Sequence, residues 1–136
     1  MAYILRRNDR WFVRVRKQPG LSLAKIRADE TRLALKEIGL PIFLNLPDGG
    51  LSKSISAQKK IEEEVNKIQP DIIVTHAPED YHPDHSTLSL LVQNSSGFNY
   101  PVIYSDTFVG HNFNPNIYID ITRFFDAKKE KYKLKT

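Results

Sequence analysis

The run Asp71-Ile-Ile-Val-Thr-His76 constrains this chain more than any other stretch. It is too short for a buried helix and apolar at successive positions, so it reads as a strand covered on both faces, the kind found in parallel sheets with helical crossovers. Its neighbours fit that demand. Apolar residues at Leu23, Ile26, Leu33, Ala34 and Ile38 recur at helical spacing over residues 21–38, and Gly39 and Pro41 supply a stop. A second helix is expected over residues 54–68, with Ser54 or Ser56 as its cap and Ile61, Val65 and Ile68 facing inward.

Strands are expected at residues 41–46, 71–76, 101–105 and 117–121, with further helices over 85–94 and 124–134. This alternation implies an α/β fold, a Rossmann-like three-layer sandwich with a mainly parallel sheet. The length of 136 residues suits a single domain, residues 1–136. Hydrophobic residues at 40% and charged ones at 26% are ordinary globular usage and exclude a disordered or low-complexity chain.

Several function classes fall away on composition. With no cysteine there is no disulfide, no thiolate zinc site and no cysteine nucleophile, so a metal must be held by histidine and carboxylate. Apolar runs fall far short of the ~20 residues that a bilayer demands, and the chain reads as cytoplasmic with no membrane partner. The net charge of +4 is unevenly spread: residues 1–17 set six basic groups against Asp9, residues 128–136 set five lysines against Glu130, and the stretch between is acidic. A nucleic-acid protein more often carries its basic face on the folded body, so nucleic acid is not the expected partner. The aromatic and aliphatic residues of 3–15 instead suggest a strand or hairpin packed on the body. No glycine-rich phosphate loop and no nucleophile elbow is present, which removes the P-loop, kinase and serine-hydrolase readings.

Three of the four histidines fall within ten residues, in Thr75-His-Ala-Pro-Glu-Asp-Tyr-His-Pro-Asp-His85. This segment leaves a strand at its carboxyl end, where open α/β sheets bind ligands. His82, Asp84 and His85 offer a proton-transferring or metal-binding imidazole, a carboxylate able to orient it and a second imidazole at a helix entrance. One loop does not complete a catalytic zinc site, which usually takes three protein ligands. His111, Asp106 and Asp120 are the other candidates, although Asp106 also reads as a turn residue and Asp120 as a helix cap.

The run His76-Ala-Pro-Glu-Asp-Tyr-His-Pro-Asp-His85 resembles the second motif of the LmbE/PIG-L family, zinc enzymes that remove acetyl groups from N-acetylglucosamine conjugates. Arg27-Ala-Asp-Glu30, Leu46-Pro-Asp-Gly49 and Asp120-Ile-Thr122 with Lys128 follow in the family's order, so the family-like region spans residues 21–131, after an atypical basic segment, residues 1–19. The resemblance implies that His85 is a metal ligand, that His82 polarises the acetyl carbonyl or protonates the leaving amine, and that Asp84 orients His82. It implies further that Arg27 touches substrate hydroxyls, that the cofactor is zinc or another divalent metal, and that the substrate is an N-acetylglucosamine-containing small molecule. Zinc lowers the pKa of its water, a carboxylate takes the proton, and an imidazolium stabilises the oxyanion.

The chain also departs from the family. Members open with a strand ending in His-Pro-Asp-Asp-Glu, which supplies the remaining ligands and the catalytic base, and this sequence has no such motif. It is expected to be truncated at both ends, with zinc affinity below that of an intact site and negligible deacetylase activity unless His76, His111 or an acidic neighbour substitutes. The function implied is a de-N-acetylase with impaired chemistry. The alternatives are a catalytically inactive fragment or sugar-binding remnant and, resting on the basic ends alone, a nucleic-acid binder. A sheet without its first strand leaves unpaired backbone, so homo-oligomers through that edge are expected unless the basic hairpin covers it.

Overall fold

The structure is a computed structural model that describes residues 2–7, 10–15, 21–105 and 112–133. Five strands, β1 (Ala2–Arg7), β2 (Arg10–Val15), β3 (Gly39–Phe43), β4 (Ile72–His76) and β5 (Val102–Ser105), form one sheet in the order β3-β2-β1-β4-β5. Within the basic segment, β1 and β2 pair antiparallel as a hairpin, as the pattern of residues 3–15 suggests. This hairpin enters the middle of the sheet, where β1 pairs antiparallel with β4 and β2 pairs parallel with β3. Since β4 and β5 are also parallel, β2, β3, β4 and β5 run one way and β1 alone opposes them. The carboxyl ends of β3, β4 and β5 therefore open on a common edge.

Two helices build the core over this sheet. In α2 (Ala57–Ile68), Ala57, Ile61, Val65 and Ile68 are all buried, three or four residues apart on one face. In α3 (Pro83–Ser96), Leu88 and Val92 continue a stripe that begins with the buried Asp84. These residues close on Leu46, Leu51 and Ile73 in a single cluster. Polar ties fix the pair: Gln58 Nε2 donates to Ser95 Oγ at 2.8 Å, and Lys60 Nζ donates to the Leu44 carbonyl at 3.0 Å, holding the loop after β3 against α2. Ser56 occupies the N-cap of α2 without a side-chain hydrogen bond there, and the preceding turn is a 3-10 segment, Leu51–Lys53.

The first helix, α1 (Leu21–Leu35), packs on β3. An edge strand offers a helix less surface than a central one, and Ile26 and Leu33 remain more than half exposed. The strand expected at residues 117–121 does not form. Ile117, Tyr118 and Ile119 are exposed, and Asp120 Oδ1 instead accepts the N–H and hydroxyl of Thr122 at 2.8 and 2.6 Å. Such local side-chain bonds compete with a sheet ladder; here they start the 3-10 turn Thr122–Phe124 that leads into α4 (Phe125–Lys133). Among the described residues, no helix is long and apolar enough to cross a membrane.

Candidate metal centre

At the end of β4 the chain passes from His76 into a tight loop. Ala77 N–H donates to the Ser105 carbonyl at the end of β5, and Asp80 N–H donates back to the Ala77 carbonyl. Pro83 at the first turn of α3 then fixes the helix start, with His82 as N-cap. The loop thus returns on itself and stacks its imidazoles. The His76 and His85 rings lie 3.9 Å apart and 7° from parallel, and the His82 ring lies 4.6 Å from that of His85.

Asp80 sits beneath these rings with its side chain fully buried. Its Oδ2 is 2.9 Å from His85 Nδ1 and 3.7 Å from His76 Nδ1, while Oδ1 accepts the His82 N–H at 2.9 Å. Burial, followed by the neighbouring His85, pushes His76 down from 6.5 to about 4, so this ring is neutral at physiological pH. Its Nε2 is buried with no hydrogen-bond partner among the described residues.

A metal ion suits these donors. His76, Asp80 and His85 each offer a ligand atom, all within 4.8 Å of one another. Neutral imidazole and carboxylate are the donor types that zinc accepts, and the unpartnered His76 nitrogen is an unfilled polar position of the kind an ion completes. Because the His76 and His85 rings are nearly parallel, one ion does not lie in both ring planes as they stand; shared coordination requires one ring to turn.

His82 is placed differently. Its Nδ1 accepts the main-chain N–H of Asp84 at 3.2 Å, which leaves the proton of the neutral ring on Nε2. The Asp84 carboxylate takes Gly49 N–H on Oδ2 at 2.7 Å and Leu51 N–H on Oδ1 at 2.9 Å. It thereby ties the turn after β3, including Asp48, to the mouth of α3, where a carboxylate also suits the helix dipole.

Sequence reasoning singled out His82, Asp84 and His85, and the structure brings them together at one loop and helix entrance. Arg27 lies within α1, and its side chain is outside the described part of the chain. Asp106 and His111 are outside the described residues, and Asp120 is exposed in its own turn. Asp80 is the residue that sequence reasoning missed. The available signal was its spacing, two residues before the helix cap and five before His85.

Residues 8–96 match the family model described as PIG-L: GlcNAc-PI de-N-acetylase. No curated protein matches. Among solved structures, the chain is similar to the N,N'-diacetylchitobiose deacetylase from Pyrococcus horikoshii complexed with its inhibitor MPG, with 22% identity and a TM-score of 0.63. The likeness covers 84% of this chain and 50% of that one, so the chain spans about half the length of that structure, and it shows a shared fold.

Proposed function

Since the chain belongs to the PIG-L GlcNAc-PI de-N-acetylase family, we propose that it acts on the acetamide of an N-acetylglucosamine-containing small molecule, as a metal-dependent amide hydrolase of reduced competence. The observation that supports this most is the convergence of His76, Asp80, His82 and His85 at the carboxyl end of β4. His85 is the principal metal ligand, with His76 as the neighbouring donor and Asp80 against the His85 ring. Zinc held by these residues would supply Lewis-acid and water-activating chemistry.

The protein's own groups do the rest. His82 holds a proton on Nε2, the form needed to donate to a developing oxyanion or, once doubly protonated, to a leaving amine. Asp84 positions this ring through its main-chain N–H and anchors the Gly49 turn beside it. Arg27 is assigned to substrate hydroxyls. The sequence holds no counterpart of the family's first motif, and the reduced competence proposed is that of these residues acting without its base and ligands.

Acetate release from N-acetylglucosamine conjugates tests this reading, with zinc added to the purified chain, to His82→Ala and to His85→Ala. Slow, zinc-dependent release by the wild type, absent from both variants, is expected. Release that ignores zinc, or wild-type release no greater than that of the variants, would overturn it. Sugar binding that persists without any release would favour a sugar-binding remnant instead.

A further inference from the structure

The buried Asp80 carboxylate engages His82 and His85 through different oxygens. Oδ1 takes the main-chain N–H of His82, and Oδ2 lies 2.9 Å from His85 Nδ1. With Asp80 ionised the carboxylate only accepts hydrogen bonds, and the His85 ring then carries its proton on Nδ1 to make this contact. A free histidine side chain prefers its proton on Nε2; the opposite form has to be imposed.

We propose that Asp80 is a positioning residue of the metal site: it holds the His85 proton on Nδ1 and thereby presents the Nε2 lone pair as the metal ligand. This deepens the reading of His85 as a ligand and rests on it. The pattern of carboxylate, histidine and metal is a general device for fixing a ligand's tautomer and raising its basicity. The same short loop sets the neighbouring ring the other way, because the Asp84 N–H occupies His82 Nδ1 and leaves the proton on Nε2. Two imidazoles 4.6 Å apart are thus held in opposite tautomers, one as lone-pair donor and one as proton donor. Neither role survives an exchange of the two forms.

Substituting Asp80→Asn gives a directional test. The His82 N–H is a fixed donor that needs an oxygen, so the amide oxygen stays there and the amide NH2 turns toward His85 Nδ1. A donor in that position drives the proton to Nε2 and withdraws the ligand lone pair. The full chain, labelled with 15N and free of metal, is read by long-range proton–nitrogen correlation at pH 8, above the ordinary imidazole pKa of about 6.5; signals are assigned with His85→Gln. The Nδ1–H form of His85 in the wild type and the Nε2–H form in Asp80→Asn are expected, with zinc affinity falling about 10- to 100-fold in the variant. An Nε2–H His85 in the wild type, an unchanged tautomer in the variant, or unchanged zinc affinity would each overturn the proposal. If Asp80→Asn does not fold, the wild-type tautomer alone decides. A wild type that binds no zinc sinks the metal reading of His85, while the tautomer still reports whether Asp80 sets the ring.

Discussion

Replacing Asp84 by alanine separates two roles for a residue that the motif places beside the chemistry. Its carboxylate accepts two main-chain N–H groups, from Gly49 at 2.7 Å and Leu51 at 2.9 Å. Hydrogen bonds to a charged group contribute about 1.5–3 kcal/mol each. Leu51 is buried and its N–H loses its acceptor outright, whereas Gly49 is exposed and water replaces part of what is lost. The expected cost is therefore about 3–4 kcal/mol, in the lower part of the additive range of about 3–6 kcal/mol. At roughly 2.1 cal/mol/K per residue, a chain of this size loses ~10–14 °C in Tm for that change. Thermal unfolding followed by circular dichroism, with chelator present to remove any contribution from bound metal, checks the figure. Asp84→Asn keeps one acceptor and sets an amide donor against the other N–H, so it should fall between the wild type and alanine. A loss below about 1 kcal/mol in Asp84→Ala would refute the anchoring role. If that stable variant also lost acetate release, the carboxylate would serve His82 instead of the turn.

Two further outcomes follow from the same loop and helix. Burial holds His76 at about 4 in the folded chain, against 6.5 for the unfolded one, so between these values the unfolded state binds the extra proton. Stability should fall as pH drops from about 6.5 to about 4, level off below that and be unaffected above it, by about 3 kcal/mol at most; urea unfolding of the wild type against His76→Phe across this window, without metal, checks it, and a parallel pH dependence of the two proteins would contradict it. Gly97 closes α3 in the left-handed region at φ 53°, where an added Cβ meets, among the described residues, only Asn99 Nδ2, at 3.5 Å. Gly97→Ala should cost about 1 kcal/mol from backbone conformation alone, and an unchanged melting temperature would show that the cap relaxes freely.

Much of the fold was legible because the elements that make the core carry periodic signals. Ile61, Val65 and Ile68 recur as a helix must, and the apolar residues 72–74 do form an interior strand, although only Ile73 of the three is fully buried and one of the strand's two partners is antiparallel. What the pattern cannot carry is competition from outside the element. Residues 117–121 alternate like a strand, yet a strand needs a partner, and Asp120 offers the backbone a local bond to Thr122 instead. The hairpin's place was hidden for a related reason: apolar alternation predicts that residues 3–15 pair with something, but only the assembled sheet shows β1 against β4 and β2 against β3.

The site shows the same division at finer grain. A motif names His82, Asp84 and His85, but residue names do not say which imidazole carries its proton on which nitrogen, and that is what decides ligand from acid. Here the decision falls to groups that motif reading passes over. The main-chain N–H of Asp84 acts on His82, and the carboxylate of Asp80, buried because the loop returns from β4 beneath three rings, acts on His85. A tight loop of this kind can keep its histidines chemically distinct even where the usual flanking ligands are absent, because the distinction is set by contacts within ten residues. If so, metal affinity in this chain depends on Asp80 as well as on the residues that touch the ion, and the preserved motif alone does not guarantee a competent site.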